Sequence, residues 1–309
     1  MKHLRATLTA IAASFAALSP AHAGAPLPGV NHVVVIGFDG FGAYAWPKAE
    51  MPRLKALAKS GSYTLTAISV LPSSSAQNWA SHFMGAGPES HHYTDWNSAR
   101  PTKPIDFKNK YGMYPGIFGE LRIQHPDAKI GIVHNWDGIR PLVEKEAADY
   151  CVQTQTMEQT AVLFSNYLKK EKPALAFVHF NEPDNTGHGP GHDTPQYYAA
   201  LKDCDKQLGR VLDAINEAGM KDDTVVMIIA DHGGINKGHG GISAQERCTP
   251  WIIAGPGVKA GYGITGPVSV TDTAPTLAKV MGLTPPAGWT GKAVNEVFKN
   301  TDKAVASAR

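Results

Sequence analysis

The stretch VVVIGFDG, residues 33–40, decides how the chain folds. Four β-branched residues followed by Gly37 and Phe38 show no polar alternation, so the run reads as a strand buried on both faces. Four further runs share this character: KIGIVH at 129–134, ALAFVHF at 174–180, TVVMIIA at 224–230 and PWIIAG at 250–255. Helical patterns separate them. PRLKALAKSG spaces Leu54, Leu57 and Ala58 on one face and stops at Gly61, and a second helix is expected near 157–168. A long helix carries Leu201, Leu208, Leu212 and Ile215 on one side, and TAPTLAKVMGL closes the order. Buried strands alternating with amphipathic helices predict an α/β protein, a three-layer α/β/α sandwich around a mostly parallel central sheet.

The first 23 residues combine a basic start (Lys2, Arg5), an apolar stretch over 6–18 and the small-residue site Ala21-His22-Ala23. This is the layout of a secretory signal peptide cut after Ala23. It predicts export to the periplasm or the medium, no membrane anchor after cleavage, and one catalytic domain over 24–309. The chain has 29 basic and 27 acidic residues; Lys2 and Arg5 leave with the leader, which makes the remainder formally neutral. Without a basic excess or basic runs, nucleic-acid binding is not expected. Cys151, Cys204 and Cys248 are far apart and contain no CxxC pair, so none reads as a metal ligand; export permits one disulfide, assigned to Cys151 and Cys204.

In such a sheet, ligands sit outside the carboxyl ends of the strands. Asp39 follows the first run, Glu182, Asp184 and His188 follow AFVHF, and Asp231 and His232 follow VVMIIA, with His239 a few residues on. Three aspartates delivered to one edge repel one another and require cations or protons. A mixed imidazole and carboxylate set suits zinc better than calcium. His82, His91, His92, His134, His179 and His192 read as structural or supporting groups; glycine and proline in GHGPGHD keep His192 off a helical face shared with His188. GFDGFG lacks the order of a dinucleotide loop, and Asp39 at its centre would repel a pyrophosphate.

With these motifs assembled, the chain resembles the alkaline phosphatase superfamily, and most closely its type I phosphodiesterase/nucleotide pyrophosphatase branch. The resemblance rests on GFDG, SAQNWASHFMGAGPESHH, EPDNTGH, ADHGG, and GHGG leading into TPWIIAGPGV, and spans about residues 33–298. It implies an alkaline phosphatase-like fold and two divalent metal ions, most simply Zn2+. One would be held by Asp184, His188 and His239, the other by Asp39, Asp231, His232 and the nucleophile. In the branch, a Thr or Ser precedes an Asn by three residues and a G-x-x-P-E-S-H signature by ten. Counting back from Gly85 in GAGPESH gives Ser75 as nucleophile and Asn78 as an amide donating to a phosphoryl oxygen. Ser73 and Ser74 become loop or cap residues whose replacement should be mild. No C/S-x-P-S-R sulfatase motif is present.

The implied activity is phosphodiester or nucleotide pyrophosphate hydrolysis through a phosphoserine on Ser75, with a small phosphoester as partner. A helix starting near Ser75 would also turn N–H groups toward the phosphate. Two divalent ions balance Asp39, Asp184, Asp231 and an ionised Ser75, and a neutral site suits a singly charged diester. A monoester dianion would call for an Arg or Lys clamp, which Arg100, Lys110, Arg122 or Arg140 could supply. A metal-dependent phosphomonoesterase is therefore the alternative, followed by a phosphoethanolamine-type transferase. Substrate selection is assigned to a segment over 93–148, where Tyr93, Trp96 and Trp136 serve either as core or as stacking faces.

Overall fold

The computed structural model describes residues 25–299, so the leader at 1–23 lies outside the described residues. β1 (His32–Phe38) runs through the centre of an eight-stranded sheet. α1 (Pro52–Ser60), β2 (Ser62–Ile68), α2 (Ser75–Met84), the one-turn α3 (Pro88–His91) and α4 (Ile117–Gln124) follow. Then come β3 (Ile130–His134), β4 (Tyr150–Gln153), α5 (Met157–Glu171), β5 (Leu175–Phe180) and the short α6 (Asp184–His188). The long α7 (Pro195–Glu217), β6 (Thr224–Ile229), α8 (Ala244–Arg247), β7 (Cys248–Ala254), β8 (Tyr262–Gly263) and α9 (Thr273–Met281) complete the order.

The strand order is β4-β3-β5-β1-β6-β7-β2-β8. β7 runs antiparallel to both β6 and β2, and the other strand pairs are parallel. The mostly parallel three-layer sandwich expected from the apolar runs is thus present. Side-chain alternation explains why those runs are continuous. Val33 and Val35 pack under α2, α4 and α9, whereas Val34 and Ile36 pack under α1, α5 and α7. Leu201, Leu208 and Ile215 face that second layer, and Leu212 lies half-buried at its margin. Gly61 ends α1 where the chain must pass the β7 backbone: a Cβ there would lie 2.1 Å from the Ile253 carbonyl oxygen.

All three cysteines are free thiols, which corrects the disulfide expectation. Cys204 is buried among the side chains of the α5–α7 layer, while Cys151 packs on the opposite face. The sheet separates them. The 93–148 segment is also less separate than expected, because α4 and β3 within it are parts of the sandwich.

One buried carboxylate anchors that segment. Glu144 sits beneath the start of α4, where its Oε1 accepts from Gly116 N at 2.6 Å and from Asn109 Nδ2 at 2.7 Å. Its Oε2 is buried without a hydrogen-bond partner. Burial pushes this carboxyl up from 4.5 to about 7, with the backbone and Asn109 donors opposing the shift. Between those values the folded chain keeps a proton that the unfolded chain gives up. The associated stability is therefore fully present below pH 4.5 and is lost as pH rises through 7, by roughly 3 kcal/mol. Thermal melts from pH 5 to pH 8 should show this decline in the wild-type protein, and Glu144→Gln should flatten it; parallel slopes would refute the assignment.

Candidate metal centre

Register brings the acidic residues together. Phe38 pairs with Phe180 and Gly37 with Ile229, so β5, β1 and β6 end side by side. Asp39 N donates to Phe180 O at 2.9 Å and Asp184 N to Asp39 O at 3.0 Å, which locks the two carboxylate loops to each other. Gly40, in the left-handed region at φ +70°, lies so close to Asp184 that a Cβ would fall 2.6 Å from the Asp184 Cβ. Gly40 N also donates to Asp231 Oδ1 at 3.0 Å.

Ser75 opens α2, and its Oγ lies 3.1 Å from His232 Nε2. That nitrogen is 3.6 Å from Asp39 Oδ1 and 3.3 Å from Asp231 Oδ2. Beside it, Asp184 Oδ2 is 3.4 Å from His188 Nε2, and Asp184 Oδ1 is 3.7 Å from His239 Nε2. The rings of His232 and His239 stack with centroids 3.7 Å apart. All the sequence-derived ligand candidates therefore meet at one edge. Among the described residues, two groups of mutually close donor atoms emerge, Asp184, His188 and His239, and Asp39, Asp184 and His232. Asp184 belongs to both, a sharing that spacing alone did not reveal.

Whether these residues suit a divalent cation follows from their hydrogen bonding. His188, His239 and His232 each place Nδ1 on a backbone carbonyl, of Lys237 at 3.0 Å, Ser73 at 3.0 Å and Gly233 at 2.7 Å. Nδ1–H donation to these carbonyls turns the Nε2 lone pairs inward, the arrangement of metal-binding imidazoles. Asp39 Oδ1, Asp184 Oδ1 and Asp231 Oδ2 are buried with no hydrogen-bond partner. The Nε2 atoms of His188 and His239 stand only 3.1 Å apart, which requires a proton or a cation between them. Hydrogen bonding to Asp184 pushes His188 up to about 9, while burial pushes His239 down to about 4. A divalent ion bound between these nitrogens would take the place of any proton there. Burial, followed by the charge of Asp39, pushes the Asp231 carboxyl well up. At Asp39 burial acts upward too, but the His179 hydrogen bond and charge, together with His232 and the Trp79 N–H, hold it well below the usual range. The donor set fits a divalent cation.

Supporting residues are divided between foreseen and missed. His179 Nε2 and Trp79 Nε1 both lie 3.0 Å from Asp39 Oδ2. Gly37 makes room for that indole, since a Cβ there would sit 2.4 Å from the Trp79 ring. His82, His91 and His134 are engaged with Thr273, Ser81 and the Trp136 carbonyl. Glu182 stays local, with Oε2 accepting from Thr186 N at 3.0 Å.

Asn78 corrects an expectation. It is fully buried; Oδ1 accepts from Val70 N at 2.7 Å, while Nδ2 donates to Ser74 O at 2.9 Å and Pro72 O at 3.4 Å. Its amide braces the 70–74 loop and leaves no N–H for a phosphoryl oxygen. The helix start offers less than expected as well, because Ala76 N donates to Trp96 O at 3.1 Å and Asn78 N to Ser74 O at 3.3 Å. Ser73 is not a solvated loop residue: it is buried, and its Oγ donates to Gly241 O at 2.7 Å and accepts from Gly240 N at 3.2 Å.

Comparison with known proteins gives a consistent result. The model of the family described as "Type I phosphodiesterase / nucleotide pyrophosphatase" matches residues 33–237. Ectonucleotide pyrophosphatase/phosphodiesterase family member 1 of Mus musculus is 25% identical over 215 residues, 65% of this chain and 24% of that protein. Arylsulfatase K of Danio rerio is 33% identical over 100 residues, 31% of this chain and 19% of that protein. The chain thus spans about a fifth to a quarter of the length of these relatives. Among solved structures, murine ectonucleotide pyrophosphatase/phosphodiesterase 5, in an inactive form in complex with AMP, superposes with TM-score 0.72 at 15% identity, covering 87% of this chain and 100% of that one. A 2-O GAG sulfatase superposes with TM-score 0.69 at 17% identity, covering 86% of this chain and 73% of that one. Sheet order, the aspartates at three adjacent strand ends and the family match agree, and the chain belongs to the type I phosphodiesterase/nucleotide pyrophosphatase family of the alkaline phosphatase superfamily.

Proposed function

We propose that this chain is an exported two-metal phosphodiesterase that hydrolyses small diesters or nucleotide pyrophosphates through a phosphoserine on Ser75. The observation that carries the reading is the position of Ser75 Oγ, 3.1 Å from His232 Nε2 at the edge where Asp39, Asp184 and Asp231 converge. Asp184, His188 and His239 would hold one divalent ion and Asp39, Asp231, His232 and Ser75 the other; such ions would lower the pKa of the Ser75 hydroxyl and offset charge on the phosphoryl oxygens. The Ser75 hydroxyl gives up its proton, Oγ attacks phosphorus in line, and the bond to the departing oxygen breaks; the leaving group, an alcohol from a diester or a phosphate from a pyrophosphate, takes up a proton in its place. Water then cleaves the phosphoserine and restores Ser75. The solved relative in complex with AMP supports a nucleotide-sized substrate. The leader over 1–23 supports export, and no helix of the described residues is long and apolar enough to cross a membrane.

Charge supports a diester over a monoester. Among the described residues, every ion-pair partner of Asp39, Asp184 and Asp231 is a histidine. Arg122 is tied to Asp149 at 2.7 Å and to Ala147 O at 3.0 Å, and Lys110 lies over the Tyr111 ring. Arg100 lines a hollow with Lys103 and Lys108; Arg140 lines one of about 610 Å³ with Trp136 and Tyr111. Trp136 packs against the core with its ring 6.2 Å from that of His179 between centroids, and buried Tyr93 is bonded to Pro141 O. At pH 8, a nitrophenyl phosphodiester should show kcat/KM at least about tenfold above that of its monoester analogue, an advantage of 1.4 kcal/mol or more. A monoester preference would instead establish the phosphomonoesterase alternative, and transfer to an added alcohol in place of water the transferase.

A further inference from the structure

His192, set aside by the sequence pattern, is built into the metal edge. Its side chain is fully buried. The ring lies between two glycines: a Cβ on Gly187 would fall 2.4 Å from Nε2, and one on Gly234 2.2 Å from it. These glycines belong to the segments that carry His188 and His232. His192 N donates to Asn236 O at 2.6 Å, beside the Lys237 carbonyl that receives His188 Nδ1–H. Two unsatisfied buried atoms face each other here, His192 Nε2 and Asp184 Oδ1, 4.0 Å apart. At the other side of the ring, Nδ1 is 3.3 Å from the Tyr44 hydroxyl. The tautomer follows from these neighbours. With a proton on Nδ1, a bare Nε2 lone pair would face a carboxylate oxygen in a buried site. With Tyr44 O–H donating to Nδ1, the proton sits on Nε2 and points at Asp184. Tyr44 is itself held by stacking on Tyr197, whose hydroxyl donates to Gly40 O at 2.7 Å. His192 belongs to neither group of mutually close ligand atoms, so its place is behind Asp184.

We propose that His192, oriented by Tyr44, is a positioning residue for the cation site of Asp184, His188 and His239. Its Nε2–H faces Asp184 Oδ1 from behind at 4.0 Å, and a short shift of the carboxylate would close that gap into a hydrogen bond that fixes its orientation toward the ion. The inference rests on the two-metal reading and is tested by binding, independent of turnover. Zn2+ is titrated into the chelator-stripped protein against a chromophoric competitor, for wild type, His192→Ala, His192→Gln and Tyr44→Phe, with near-ultraviolet circular dichroism as the fold check. His192→Ala should weaken one of two ions by about 10- to 100-fold and leave the other near wild type. Tyr44→Phe should weaken the same ion severalfold, and His192→Gln, which keeps an N–H donor, should recover most of the loss. Wild-type affinities in His192→Ala, or a glutamine variant as weak as the alanine one, would overturn the positioning role. If His192→Ala fails to fold, the near-isosteric Tyr44→Phe and the glutamine variant decide. A wild-type protein that binds no ion would instead sink the two-metal reading itself.

Discussion

Replacing Ser75 with alanine removes turnover, by at least about four orders of magnitude, and leaves the protein folded. Loss of a nucleophilic serine elsewhere gives effects of this order or larger. Stability should change by less than about 1 kcal/mol, because among the described residues the side-chain hydrogen bond of Ser75 Oγ is to His232 Nε2. The informative contrast is Ser73→Ala. Sequence reading treated Ser73 as a loop residue, but its Oγ joins the 73–74 loop to Gly240 and Gly241, and its carbonyl receives His239 Nδ1–H. Removing that hydroxyl should misplace His239 and lower the rate roughly ten- to a hundredfold while Ser75 stays in place. Initial rates on a nitrophenyl diester, with melting curves for each variant, measure both effects. Substantial turnover in Ser75→Ala would end the phosphoserine reading.

Stripping divalent metal should remove activity just as completely, and it should also lower the melting temperature. Asp39, Asp184 and Asp231 each keep a buried oxygen without a donor, and burial, followed by the charge of Asp39, pushes the Asp231 carboxyl well up. A bound cation relieves this repulsion in the folded state only. Such a ligand at a thousandfold above its dissociation constant stabilises by roughly 4 kcal/mol, or on the order of 10 °C for a chain of this size. Elemental analysis should give two ions per chain, and added Zn2+ should restore rate and melting temperature together. Full activity in protein shown by elemental analysis to be free of metal would exclude the two-metal reading.

Much of this was legible in the chain. The five central apolar runs became β1, β3, β5, β6 and β7 because strands buried on both faces cannot alternate in polarity. The strand-end aspartates were legible for the same reason, since a carboxylate directly after such a run has no place except the carboxyl edge. β2 was missed. Its sequence SYTLTAI carries Ser62 and Thr64 in buried positions, where Ser62 Oγ donates to Lys259 O at 2.9 Å and Thr64 bonds Thr66. The Lys259 carbonyl lies near Ser62 only after folding, so the strand read as polar chain. The cysteine pairing failed likewise, because sequence separation does not say which face of the sheet a thiol occupies.

The sequence by itself therefore determined the layers, the buried strands and the set of candidate ligands, all of which follow from local polarity and its period along one chain. Tertiary structure decided the parts that depend on which distant backbone groups meet. It gave Asn78 to the 70–74 loop, made Ser73 the tie to His239, shared Asp184 between two donor groups and set His192 between Gly187 and Gly234. Hydrogen bonds and carboxylate repulsion act over a few ångströms, and only the folded chain determines which residues come that close.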